Sequence, residues 1–446
     1  MRTIKALEKY PPLERIFEEF ADSEMAAFLD SSLRNGLGQY SIIGLFPYLT
    51  LVNGDKFTVN GEECGQPFEK WVKEYLKNHQ EENPTGLPMI SGAIGYFSYD
   101  YGRKKEGVKS RHEKTVDIPE CILCFYDVLL VEDHREEKLY IIANGKKRDS
   151  GEQAEELACQ IQKIKPGGQQ ERACEIEVTA NFQKEEYLKA IDDVRKNILE
   201  GDIYVMNLTQ QLTIRSKKAP YEVFKKLRRT NPSPFGGYFQ YGDFQVVSAS
   251  PERFLQMKKG HVVTRPIKGT RKRGDGPQED AALKKELKES KKDQSELLMI
   301  VDLERNDLNR VCVPGSVKVT ELFEIETYAT VFHLVSCVEG DLEEEKDVMD
   351  LIEAAFPGGS ITGAPKLRAM EIIDELEHGR RNLYTGSIGY LTLDGDCDFN
   401  IVIRTALHRD GVWQLGVGGG ITFESELAFE YEETLQKAKA VLEALR

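Results

Sequence analysis

A chain of 446 residues is long enough for two or three average domains, or for one large two-lobed domain. With 40% hydrophobic and 30% charged residues it has a globular composition, which excludes a disordered or fibrous protein. The formal net charge of −15 supplies no basic footprint, so neither nucleic acid nor an acidic membrane is expected as a partner.

An anionic substrate would therefore need locally gathered cations or a metal. No apolar run reaches about 18 residues, and the start, Met1-Arg2-Thr3-Ile4-Lys5, shows no apolar signal segment. The expected compartment is the cytoplasm. Eight cysteines are scattered along the chain, which suits reduced thiols better than a disulfide framework.

Residues 1–145 alternate strand-like runs with Gly and Pro breaks, as in Tyr48-Leu49-Thr50-Leu51-Val52 before Asn53-Gly54 and Val128-Leu129-Leu130-Val131 before Glu132-Asp133. Cys121 and Cys124 form a CxxC inside the strand-like run 118–131. No second pair stands at zinc spacing, so buried structural thiols are the expectation. Residues 146–180 read as a variable connecting segment, with Lys165-Pro166-Gly167-Gly168-Gln169-Gln170 as a linker or exposed loop.

The part from residue 181 opens with a helix, because Tyr187, Ile191, Val194 and Ile198 share one face and Gly201 stands where a helix ends. Strands are expected at 244–248, 261–267, 387–393 and 413–417. Helices are expected at 280–302, 348–356, 366–377 and 425–446. Strands and helices mixed without strict alternation predict α+β layers.

Two helices each carry an i, i+3 acid pair: Asp293 with Glu296, and Glu430 with Glu433, the latter followed by Lys437. Singly, each pair reads as a solvated acidic face. If they faced each other, they would make an oxygen-rich site suited to Mg²⁺. The run Val417-Gly418-Gly419-Gly420-Ile421 reads as a tight turn or as a loop whose N–H groups approach an anion. Residues 357–366 form a second Gly-rich loop without P-loop order. Arg404 is a lone charge in an apolar strand-like run and wants a carboxylate partner. His333 reads as a satisfied core histidine. Lys268 sits in Arg265-Pro266-Ile267-Lys268-Gly269-Thr270-Arg271-Lys272-Arg273, where cations on both sides would favour its neutral, nucleophilic form.

Together these segments resemble the chorismate-utilising enzymes. The resemblance rests on Ser250-Pro251-Glu252-Arg253-Phe254, residues 265–274, Leu298 to Leu303 with Arg305-Asn306-Asp307, and His333-Leu334-Val335-Ser336. It continues through Pro357 to Lys366, Tyr384-Thr385-Gly386-Ser387-Ile388-Gly389-Tyr390, and Gly418 to Lys437. These blocks make 181–446 the expected chorismate-binding catalytic region. Phe28-Leu29-Asp30-Ser31-Ser32 and residues 92–100 extend the likeness to an N-terminal subdomain over 1–145, which in the family sometimes holds tryptophan. The implied fold is two packed antiparallel β-sheets flanked by helices, with the site deep between them.

Lys268 resembles the branch of the family that aminates chorismate at C4 on the way to 4-aminobenzoate and folate. The alternative branch, which forms anthranilate, usually carries Ala there. By resemblance, Lys268 is the nucleophile that adds to C2, and Glu252 is the general acid. Glu296 and Glu433 hold Mg²⁺, supported by Asp293 and Glu430. Thr270, His333, Ser360, Tyr384, Arg404, Gly418, Gly419, Gly420 and Lys437 match substrate-binding positions. The chain shows no glutamine-amidotransferase segment, so ammonia is expected from a separate amidotransferase subunit or from solution. Two positions depart from the pattern: Val205 replaces a polar residue, and Asp293 replaces a Glu.

Overall fold

The structure, a computed structural model, describes residues 1–165, 173–328 and 331–446. Except for Lys165, the linker expected at 165–170 lies outside the described residues.

Every strand pairing is antiparallel, and the pairings trace two sheets that share two long strands. Tyr40–Asn53 and Cys121–Asp133 pair along nearly their whole length. At Phe46 (φ +55°) the first of them bends, and its register slips between Pro47 and Leu49. A proline is tolerated in a sheet at such a bulge. Beyond the bend the two strands run in a different sheet.

The first sheet passes from Thr3–Leu7 through Lys138–Ala143, the far half of Cys121–Asp133 and the near half of Tyr40–Asn53. It then runs through Ala27–Asp30, Phe235–Tyr241, Phe244–Ser250, Thr405–Arg409, Val412–Ile421 and Val205–Arg215 to Glu177–Ala180. The second continues from the other halves through Gly92–Phe97, Ser387–Thr392, Cys397–Asn400, Arg253–Lys258 and His261–Thr264. Val331–Asp341 closes it, paired with Ile267–Lys272 and Lys318–Thr327. Strands from the first 145 residues thus pair with strands from 235 onward in both sheets.

Between the sheets lies one buried cluster containing Ile42, Leu129, Phe239, Phe244 and Val246 from the first sheet, and Ile94, Tyr96, Ile122 and Ile388 from the second. Helices cover the outer faces, so the architecture is the expected α+β pair of packed antiparallel sheets. Cys121 and Cys124 are fully buried, but they join different clusters. A spacing of three on a strand turns them to opposite faces, so they cannot share a metal or a disulfide.

The predicted helix near 187 spans Lys184–Glu200. It opens with a Gln183/Glu186 capping box and ends at Gly201 in the left-handed region (φ +85°). The helix expected at 280–302 is two helices, Pro277–Glu289 and Lys291–Asn309. Ser290 separates them, its hydroxyl accepting from Asp293 N. Leu297, Ile300 and Leu308 bury the inner face of the second. Truncating one such leucine costs about 2–5 kcal/mol. The terminal helix is Leu427–Leu445. Among the described residues, no helix is long and apolar enough to cross a membrane.

Candidate active site

The chain passes directly from one sheet to the other twice more, and each passage delivers a site residue. Glu252 sits between Phe244–Ser250 and Arg253–Lys258, and Arg404 sits between Cys397–Asn400 and Thr405–Arg409. The two passages are tied together. Ile401 N donates to Glu252 O at 3.0 Å, and Ser250 Oγ donates to Ile401 O at 2.6 Å. Arg404 therefore lies in a strand break, with φ +53°, where the sequence predicts a continuous strand. A non-glycine residue held in the left-handed region costs energy, and its surroundings must hold it there.

The glycine run is the second correction. Gly418, Gly419 and Gly420 belong to the strand Val412–Ile421, opposite Thr209, Leu208 and Asn207; they form no loop. The physical reason is space. A methyl group on Gly419 would lie 3.1 Å from Glu433 Oε2, and 3.5 Å from both Glu430 Oε2 and Lys437 Nζ. One on Gly420 would lie 3.5 Å from both Glu296 Oε2 and Lys268 Nζ. The strand is bare so that acids from two helices and two lysines can converge over it. Tyr384 is packed in the same way against Gly416, where a methyl would collide with its ring. Val205, beside Gly420, is buried and adds an apolar wall.

Lys268 lies on Ile267–Lys272, and its Nζ donates to the Ser360 carbonyl at 2.9 Å. The cationic crowd expected around it is not there. Arg265 pairs with Glu321 and Glu326, Arg271 with Glu286 and Asp293, and Arg273 with Asp280. The groups that act on this amine come from distant segments: Glu252, Glu296 and Lys437.

Glu252 is buried, and burial raises its pKa, with the Ser360 hydroxyl and Lys268 pulling the other way. Burial lifts Glu296 to about 7; Lys268 and Lys292 oppose that, while Glu430 and Asp293 add to it. Across the ladder His333 faces Thr270, and Thr270 Oγ1 lies 2.9 Å from His333 Nδ1. Burial lowers the histidine to about 4, so the ring is neutral at physiological pH. Lys437 donates to Gly418 O at 2.8 Å and pairs with Glu433 at 3.4 Å; burial lowers its pKa. Burial likewise lowers Arg404, which senses Tyr384 and Glu433. Among the described residues no carboxylate lies within ion-pair distance of its guanidinium.

The structure thus brings Lys268, Glu252, Ser360, Gly418 to Gly420, Lys437, Glu296, Glu430 and Glu433 around one strand end. Asp293 stands one helical turn from Glu296 and is held by Arg271 Nη2 at 3.1 Å. Thr270 and His333 sit one step along the second sheet from Lys268, with Thr270 exposed. Among the described residues no three acids converge as a ready metal cage. Their oxygens are nonetheless hard donors of the type Mg²⁺ takes, and two of them share a single lysine, Lys292, at 3.2 and 4.0 Å.

Two contributors escape a sequence reading. Lys292 shows there only as a surface-type i, i+4 partner of Glu296. Glu304 is buried beneath the Gly359–Ser360 turn, with its Cγ 3.6 Å from where a Gly359 methyl would sit. Thr264 Oγ1 is 2.7 Å from Phe254 O and 3.0 Å from Glu304 Oε2. The Thr264 hydroxyl donates toward both oxygens. Burial, reinforced by Glu252, raises the pKa of Glu304 to about 8.

Bare glycines leave space among facing acids, an amine and a buried carboxyl, as an enzyme's active site requires. The family profile of chorismate binding enzymes matches residues 39–443, and the chain belongs to that family. It is 39% identical over 450 residues to aminodeoxychorismate synthase component 1 of Bacillus subtilis (strain 168), covering 96% of this chain and 93% of that one. It is 36% identical over 468 residues to anthranilate synthase component 1 of Acetivibrio thermocellus, covering 98% and 94%. A crystal structure of anthranilate synthase component I from Streptococcus pneumoniae TIGR4 matches with a TM-score of 0.83 at 30% identity, over 93% and 94% of the two chains.

Proposed function

We propose that this enzyme aminates chorismate at C4 to 4-amino-4-deoxychorismate, with Lys268 as a covalent nucleophile. The observation that carries the reading is the Lys268 amine. It is anchored on Ser360 O and faces the buried acids Glu252 and Glu296 at the end of the glycine strand.

In this reading the Lys268 amine forms a C–N bond at C2 while both ring double bonds shift and the C4–O bond breaks. Glu252, whose pKa burial raises, gives its proton to the departing hydroxyl, which leaves as water. Ammonia then bonds to C4, both double bonds shift back, and the C2–N bond to Lys268 breaks. The surplus proton of the incoming nitrogen returns to the Glu252 carboxylate. Arg404 and Lys437 are the cations available to the substrate's carboxylates, and neutral His333 with Thr270 offers uncharged hydrogen bonds.

Glu296 and Glu433 would hold Mg²⁺, with Glu430 and Asp293 behind them. When bound, the ion draws electron density from the ring through its carboxylate. A separate glutamine amidotransferase supplies the ammonia, and the product leads to 4-aminobenzoate and folate in the cytoplasm. The 36% identity to an anthranilate synthase favours a second reading, amination at C2 with loss of pyruvate.

Incubation with chorismate, Mg²⁺ and ammonium separates the two. The expected product yields 4-aminobenzoate once a lyase is added, and fluorescent anthranilate from the unaltered chain would end the C4 assignment. In Lys268→Ala, nitrogen is expected at C2 by mass spectrometry.

A further inference from the structure

All four acids of the facing helices carry a counter-cation from their own chain. Asp293 is held by Arg271 at 3.1 Å, and Glu433 by Lys437 at 3.4 Å. Glu296 and Glu430 share one: Lys292 Nζ lies 3.2 Å from Glu430 Oε1 and 4.0 Å from Glu296 Oε1. The last arrangement differs from a helix-surface pair. Lys292 and Glu296 are on Lys291–Asn309, whereas Glu430 is on Leu427–Leu445, so the ammonium bridges two helices.

The two carboxylates are nearly inaccessible, with side chains 9% and 3% exposed, while the lysine side chain is 33% exposed. The acids are fixed in the interior, Glu430 also accepting from Ser425 Oγ at 2.7 Å. The cation rides on a flexible stem with a way out to solvent.

From this geometry we infer that Lys292 is a tethered competitor for the divalent cation that Glu296 and Glu433 would hold with Glu430 behind them, and that it swings out when the ion enters. The inference rests on the metal reading above but not on which ring carbon is aminated. Two buried carboxylates without a cation are costly, so the tethered ammonium holds the empty site together. A dication offers twice the charge and accepts several oxygens, which one ammonium cannot match. The lysine therefore weakens apparent metal affinity by the fraction of time it occupies the seat. If that is nine-tenths, the weakening is about tenfold.

The test uses Mn²⁺ alone, with free ion read by electron paramagnetic resonance, on the full chain without chorismate. Lys292→Met and Lys292→Gln are expected to bind Mn²⁺ about tenfold more tightly than the unaltered protein, and Lys292→Arg to bind it equally. The Met and Gln variants are also expected to melt lower without metal, and to gain more from added Mg²⁺ than the unaltered protein does. Equal or weaker Mn²⁺ binding by both neutral variants overturns the inference while leaving the metal reading in place. Absence of Mn²⁺ binding in every protein overturns both. Tighter binding in a chain that proves to aminate C2 supports the inference and sinks only the C4 assignment.

Discussion

The acids on the two sides of Lys268 are compensated in opposite ways. Glu252 and Glu304 are buried with no cation at ion-pair distance among the described residues, and burial raises both. Asp293, Glu296, Glu430 and Glu433 each have a lysine or arginine within 4.0 Å. A buried carboxyl left alone keeps its proton and becomes an acid. In the proposed reading the uncompensated carboxyl Glu252 supplies the acid, and the compensated acids supply the cation seat.

The strongest challenge to this contrast removes the amine between the two groups. Lys268→Ala is expected to lower C4-aminated product by about a thousandfold or more, because the covalent route is lost outright. Next is Glu252→Gln, expected to cost about 10²-fold in rate. Its pH profile carries the sign. In its proposed role Glu252 must be protonated to act, so the rate of the unaltered enzyme is expected to fall as pH rises through its raised pKa, and that limb to disappear in the variant.

Arginines sharpen the same comparison. Arg381 is fully engaged, bonded to Glu377, Ile361 O and Asn207 O, whereas Arg404 has no carboxylate at ion-pair distance among the described residues. Arg404→Ala is expected to raise the chorismate KM about 10- to 100-fold with the fold intact. Arg381→Met is expected to lose about 3–5 kcal/mol of stability by stranding Glu377.

The smallest effect belongs to Glu304. Its folded pKa, about 8, lies above the ordinary 4.5. Its contribution to stability is therefore complete below pH 4.5 and is lost as pH climbs through about 8. Glu304→Gln stays neutral. The difference in unfolding free energy between pH 5 and pH 9 should shrink on the order of 1–3 kcal/mol relative to the unaltered chain, with little change in rate near neutrality.

Much of this is legible in the sequence where chemistry is written in single residues. The acid pairs, Lys268, Glu252 and the helix ending at Gly201 are all visible there. The glycine strand is not, because periodicity is carried by side chains and 418–420 have none. Its pairing with Val205–Arg215 decides its form. Charge context fails for a similar reason. Neighbours in sequence suggest cations around Lys268, but alternation along a strand sends Arg271 to Glu286 and Asp293, while Lys437 arrives from the far end of the chain. Strand patterns likewise reveal a period without a partner. Nothing in Tyr40–Asn53 announces that it serves two sheets.

That shared membership has a consequence for how the protein is made. Phe28 must find Tyr238, and Gly95 must find Gly389, before either sheet has its full set of edges. A ribosome releasing the chain from its first residue leaves those early strands waiting for most of synthesis, with open backbone exposed. Such distant closures also slow folding. This enzyme should therefore lean on chaperones during translation more than a protein of equal size built from consecutive hairpins.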